Sequence, residues 1–164
     1  MIWLGIDTAN TPISVALVKD GELLIEGTSA MAINHSLRAM PAIEELLEQA
    51  GLVPANIDAI AVSEGPGSYT GARIGVTIAK TLAWTLGKPL VGVSTLKALA
   101  ANALFFNGLV CPIVDARRGN VYAGVYQFDA GKLTEVIEDG HSLWKSWYTC
   151  LSSIVVLFYS LEKI

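Results

Sequence analysis

The chain predicts an α/β protein whose mixed sheet is flanked by helices, and three observations carry that expectation. Three apolar runs separated by turn residues open the chain, strands then alternate with segments of helical periodicity, and at Val110 the opening pattern begins again. With 164 residues, 52% of them hydrophobic and 16% charged, the composition is that of a packed protein of one domain or two small lobes.

Ile2 to Ile6 is an apolar strand ending at Asp7, and Thr8 to Pro12 supplies turn chemistry before a second strand, Ile13 to Val18. Asp20-Gly21 marks a tight hairpin, so Glu22 to Gly27 returns as the third strand of an antiparallel meander. From His35 to Ala50 the residues Leu37, Met40, Ile43, Leu46, Leu47 and Ala50 recur at helical spacing, with Glu44, Glu45 and Glu48 off the stripe. Gly51 closes this helix. Pro41 inside it removes a backbone hydrogen bond and crowds the preceding turn, which predicts a bend near Leu37 to Met40. The stripe is wide enough to leave part of itself available to another helix.

Ile57 to Leu86 reads as strand, glycine turn, helix: an apolar run to Val62, a break at Gly65-Pro66-Gly67-Ser68, and helical periodicity from Thr70. Such a junction aims free backbone N–H groups at one point, so a phosphate site is the first reading to test. A nucleoside-triphosphate loop requires Lys followed by Ser or Thr after its last glycine, whereas Ala72 and Arg73 follow Gly71; a dinucleotide loop requires glycine where Thr70 stands. The alternative is steric. Gly65 and Gly67 permit positive φ around the proline, Ser68 or Thr70 caps the helix, and Gly71 and Gly75 leave a groove for another backbone. Along the helix Arg73, Thr77, Lys80 and Trp84 recur on one side, where Trp84 either anchors a partner or covers its own core.

Pro89 to Val93 is a further strand and Thr95 to Ala103 a further helix. Val110 to Asp115, a polar turn at Ala116 to Asn120, Val121 to Phe128, a turn at Asp129 to Gly131 and Lys132 to Ile137 then repeat the meander, with Asp115 echoing Asp7. A strand-ending aspartate followed by small hydroxyl residues, Asp7-Thr8-Ala9-Asn10-Thr11, resembles the nucleotide loop of actin-like phosphate-handling enzymes; equally, Asp7 caps a turn. The duplicated order predicts an actin-like ATPase (ribonuclease-H-like) fold with a truncated second lobe. The expected division is 1–106 for the first lobe, 107–140 for the start of the second and 141–164 for a tail whose Trp144, Trp147, Tyr148, Phe158 and Tyr159 show no strand alternation. The tail's apolar core is too short and too interrupted to predict a membrane span.

The net charge of −4 and scattered Lys and Arg argue against a chain that holds RNA by itself; Arg117-Arg118 is the only adjacent basic pair. Cys111 and Cys150 are isolated, His35 and His141 are far apart, and Met1 runs straight into a strand, so we expect reduced thiols, a cytoplasmic location and no zinc site. No nucleophile elbow or Cys/His pair offers covalent chemistry.

Four stretches, GIDTANTPISVAL, NHSLRAMPAIEELLEQAG, GPGSYTGARIG and VDARRGNVYAG, resemble in order the signatures of the TsaB (YeaZ) family, over roughly residues 1–140. The resemblance implies a non-catalytic partner of TsaD in making threonylcarbamoyladenosine in tRNA, working with TsaE-type ATPases and meeting tRNA only through the complex. TsaD carries a metal-binding histidine pair on the helix after the strand equivalent to 89–93. Thr95 and Leu99 stand at those positions, so the resemblance implies no metal and no catalytic residue here. It further implies no cofactor required by this chain, with ATP and magnesium used in the complex. The partner or homodimer interface would comprise Leu37, Met40, Arg73, Thr77, Lys80 and Trp84, and any weak nucleotide contact would fall to Asp7, Thr8 and Asp115. The alternatives are a free-standing nucleotide-binding actin-like ATPase and, more distantly, a metallopeptidase-like protein.

Overall fold

The computed structural model describes residues 1–10, 12–29, 35–129, 131–148 and 155–159, with side chains at all of these except 29, 35–38, 148 and 155–159. The chain divides into two units, Met1–Val93 and Ser94–Ile164. In the first, β1 (Ile2–Asp7), β2 (Ile13–Lys19) and β3 (Glu22–Ser29) form the antiparallel meander, β4 (Ala59–Gly65) runs parallel to β1, and β5 (Leu90–Ser94) lies beyond it. The strand order is β3-β2-β1-β4-β5. Alternation sets which side chains turn inward: Leu4 and Ile6 of β1, Val15 and Leu17 of β2, and Ile60 and Val62 of β4 are buried in one cluster. Helices α1 (His35–Gln49) and α2 (Tyr69–Leu86), with Ile57 just before β4, supply the rest of it. Burying each of Leu4, Leu17 and Ile60, which are 0% exposed, contributes about 1.5–3 kcal/mol relative to leaving it in water.

Gly51 ends α1 as the spacing predicts, at φ 66°, with the Leu52 amide donating to the Leu47 carbonyl. The width of the α1 stripe has a different use from the one expected. Ile43, Leu46 and Leu47 are buried in the core of their own unit and Met40 and Ala50 pack against it, so little of this stripe is left for a partner. Ala39 of the same helix is also fully buried.

The second unit repeats the plan. β6 (Leu109–Arg117), β7 (Asn120–Asp129) and β8 (Lys132–Leu143) form an antiparallel meander, and β9 (Val155–Tyr159) runs parallel to β6, in the order β8-β7-β6-β9. This matches β3-β2-β1-β4, and the duplicated arrangement is the actin-like, ribonuclease-H-like fold. Helix α3 (Thr95–Ala101) is capped by Ser94, whose hydroxyl accepts from the Leu96 and Lys97 amides. The short α4 is Trp144–Tyr148.

Three boundaries differ from the sequence reading. The division falls at Val93/Ser94 rather than at 106/107, because Leu96 and Ala100 of α3 bury against Val110, Val114 and Tyr126. β8 runs to Leu143 rather than Ile137: it pairs with β7 from Asp129↔Lys132 to Asn120↔Leu143 as an edge strand whose exposed side chains need not alternate. Within the tail, Val155–Tyr159 is a strand. Five consecutive apolar residues carry no alternation, so periodicity alone could not place them. Among the described residues no helix is long and apolar enough to cross a membrane.

Candidate functional site

The glycine turn between β4 and α2 closes on the turn between β1 and β2. The Ser68 amide donates to the Ala9 carbonyl at 2.7 Å, and the Thr8 hydroxyl donates to the Gly71 carbonyl at 2.7 Å. A Cβ on Gly67 would drive into the Ala9 carbonyl, one on Gly71 into the Thr8 carbonyl, and one on Gly75 into the Thr8 hydroxyl. The steric reading of these glycines therefore holds, and the backbone that approaches is that of Thr8 and Ala9. Only Gly65 uses positive φ, at 113°; Gly67 is needed for close approach instead. Ser68 is the helix cap, accepting from the Gly71 amide at 3.2 Å.

Thr8, which the sequence offers as a nucleotide contact, is turned inward: its side chain is 0% exposed and its hydroxyl donates to the Gly71 carbonyl. Asp7 is half-buried and stabilises its own turn, Oδ1 accepting from the Ala9 amide at 2.9 Å and Oδ2 from the Asn10 side chain at 3.3 Å. Asp115 does the same in the second unit, where its Oδ1 accepts from the Arg117 amide at 2.7 Å. The two aspartates end corresponding strands and perform the same local task. The Thr8 hydroxyl, buried and committed to Gly71, is turned away from any nucleotide at this end of the sheet, while the two carboxylates each keep lone pairs beyond the bonds that hold their turns. Thr95 is buried and Leu99 packs against the second core, so both positions that would carry metal ligands are turned into the protein. Among the described residues no three His, Cys, Asp or Glu side chains group so as to hold a metal.

The turn after Asp115 is unusual in its residues. Arg117 (φ 69°), Arg118 (φ 57°) and Gly119 (φ 74°) are all left-handed, whereas the β2–β3 hairpin meets the same demand with Asp20-Gly21. A side chain in that region costs about 1–2 kcal/mol. Three hydrogen bonds offset the strain: the one to Asp115, and two from the Asn120 side chain to the Arg117 and Arg118 carbonyls.

Helix α2 separates its faces cleanly. Gly71, Gly75, Ala79 and Ala83 are buried against the sheet and α1, while Arg73, Thr77, Lys80 and Trp84 are exposed on the opposite side, as the spacing predicts. Trp84 is 87% exposed, so it does not cover its own core. The Arg73 guanidinium stacks 3.8 Å from the centre of the Tyr69 ring, and Tyr69, Thr70, Arg73, Ile74, Thr77 and Ile78 line an open groove along the helix. Tyr69 went unnoticed in the sequence although its i, i+4 spacing to Arg73 is readable there. Met40 is half-buried against the core rather than free, and Leu37 lies in α1 with its side chain outside the described residues.

A polar cluster in the second unit has no sequence signal. Asp139 on β8 accepts from the Ser94 hydroxyl and from the Tyr126 hydroxyl, tying the cap of α3 to the sheet. Burial, then the Asp139 carboxylate, holds the Tyr126 hydroxyl well above the usual phenol range. Burial also pushes the Cys111 thiol up to about 12, which makes it inert.

Comparison with known proteins places this geometry. The family model of TsaD, tRNA N6-adenosine threonylcarbamoyltransferase, matches residues 29–149. The chain is 46% identical over 151 residues to the tRNA threonylcarbamoyladenosine biosynthesis protein TsaB of Bacillus subtilis, covering 92% of this chain and 66% of that one. It is 41% identical over 128 residues to the protein of the same name from Escherichia coli, covering 77% and 55%. A solved structure of YeaZ from Pseudomonas aeruginosa superimposes with a TM-score of 0.79 at 32% identity, covering 85% of this chain and 66% of that one. The chain thus spans between about half and two thirds of the length of these relatives. With the glycine turn, the duplicated meander and the exposed α2 face in place, the chain belongs to the TsaD family and, within it, to the TsaB (YeaZ) proteins.

Proposed function

We propose that this chain is the non-catalytic partner of a TsaD-type threonylcarbamoyltransferase in the modification of tRNA to threonylcarbamoyladenosine, docking through the outer face of α2. The observation that carries this reading is Trp84, a large aromatic 87% exposed on a helix whose other face is fully used by its own core. The names of the relatives support the pathway, and the buried Thr95 and half-buried Leu99 support a role without catalysis. In this reading TsaE-type ATPases and tRNA join through the assembled complex, ATP and magnesium are used there, the setting is cytoplasmic, and the same face supports a homodimer when the transferase is absent.

The test is co-elution with a TsaD-type protein on size exclusion. Trp84→Glu is expected to weaken association at least about thirtyfold, as loss of an interface anchor does, while changing stability by less than about 0.5 kcal/mol. Unchanged co-elution of the variant would overturn the proposed surface. Met40→Glu is a poorer probe, since Met40 packs against the core and its loss disturbs the fold.

A free-standing ATPase is disfavoured by the burial of Thr8, whose hydroxyl is committed to Gly71. The isolated chain is expected to bind magnesium-nucleotide at most weakly. Micromolar ATP binding by calorimetry, abolished by Asp7→Ala, would reverse that conclusion.

A further inference from the structure

We propose that the β6–β7 turn, with the start of α4 beside it, is a contact surface for the phosphodiester backbone of RNA. The choice of tRNA as its occupant rests on the function proposed above; the surface itself rests on charge and geometry. Arg117 and Arg118 are exposed at the tip of the turn, and among the described residues neither guanidinium forms an ion pair. The Trp144 amide donates to the Gly119 carbonyl at 3.0 Å, which brings the exposed Lys145, the next residue, to the same end of the sheet. The register Asn120↔Leu143 and Val121↔Ser142 fixes this juxtaposition.

Within residues 115–122 and 140–148 the only acidic side chain is Asp115, and it is bound to the Arg117 amide. Among the described residues of these two segments, three cations therefore stand against one carboxylate, in a chain whose net charge is −4. The turn is held in a left-handed conformation that Asn and Gly adopt easily, yet two arginines stand there, clamped by Asp115 and Asn120. Strain retained where an unstrained residue would serve points to a use for the side chains. Two planar guanidiniums and an ammonium match phosphate oxygens, and three contacts are too few to hold RNA alone at physiological salt, which accords with an acidic chain acting inside a complex.

Fluorescence anisotropy of labelled tRNA with the full chain, titrated upward from about 20 mM salt, tests this where weak phosphate contacts are visible. The wild-type chain is expected to bind weakly and to release tRNA as salt approaches physiological levels. Arg117→Asn with Arg118→Asn puts favoured residues in the turn, so the double variant should fold at least as stably; it is expected to lose about tenfold in affinity and to flatten the log–log salt slope by about 1.4–1.8. Lys145→Gln is expected to flatten it by about 1. Trp84→Glu should bind tRNA like wild type, so failure of the partner surface and failure of this one are read separately. Equal affinity and slope for wild type and double variant, or no tRNA binding by either, overturns the inference. So does displacement of tRNA by an equal concentration of free ATP, which would make the turn a site for free nucleotide.

Discussion

Gly71→Ala is expected to destabilise the first unit by about 2–4 kcal/mol in urea unfolding. The added methyl meets the Thr8 carbonyl oxygen, a backbone atom of a turn that is itself fixed by Asp7 and by the Ser68 amide. Neither side can yield without parting the Thr8–Gly71 hydrogen bond, which by itself is worth about 1 kcal/mol. Gly75→Ala is expected to cost less, since its methyl meets the Thr8 hydroxyl, the end of a side chain. If that contact is the cause, Thr8→Ala relieves it, and the double variant is less destabilised than the sum of the singles by about 1 kcal/mol. Strict additivity, or a Gly71→Ala loss below about 0.5 kcal/mol, would mean that the two turns do not clamp each other.

The second unit is expected to fail in alkali. Burial raises the Cys111 thiol from its ordinary value of 9.0 to about 12, and the Tyr126 hydroxyl is raised as well. A group whose folded pKa lies above its unfolded one stabilises fully below the unfolded value, and that contribution is lost as pH climbs from there through the folded value. The window for Cys111 therefore opens near pH 9 and closes near 12, with a slope of up to about 1.4 kcal/mol per pH unit. Tyr126 adds to the loss above about pH 10, its usual value. Cys111→Val, followed by thermal unfolding between pH 8 and about 11, should flatten the decline over this window while leaving stability near neutrality within about 1.5 kcal/mol. A decline of the same steepness in the variant would place its origin elsewhere.

Most of the strand and helix order was legible because each element carries its own local signal. The apolar alternation of β1 and β2, the Asp20-Gly21 hairpin and the Gly51 helix stop act over a few residues and survive in the final structure. The second meander was legible as a repeat because Val110 to Phe128 bears the same signals in the same order. The exposed side of α2 was legible for a similar reason: Arg73, Thr77, Lys80 and Trp84 lie three or four residues apart, and a helix's own period decides their common direction.

What the sequence by itself determined, then, was the order and type of the elements, the duplication, the family and the outward stripe of α2. Tertiary structure alone decided how groups distant in the chain meet. Thr8 is a plausible ligand residue until Gly71, 63 positions away, takes its hydroxyl. Gly67 serves approach rather than positive φ because Ala9 lies against it. Asp139 has no local signal for its task of holding Ser94 and Tyr126, since those partners stand 45 and 13 positions away. The physical reason is common to all three: local propensity depends on neighbours along the chain, whereas burial, close approach and hydrogen-bond pairing depend on neighbours in space, which exist only once the sheet has formed.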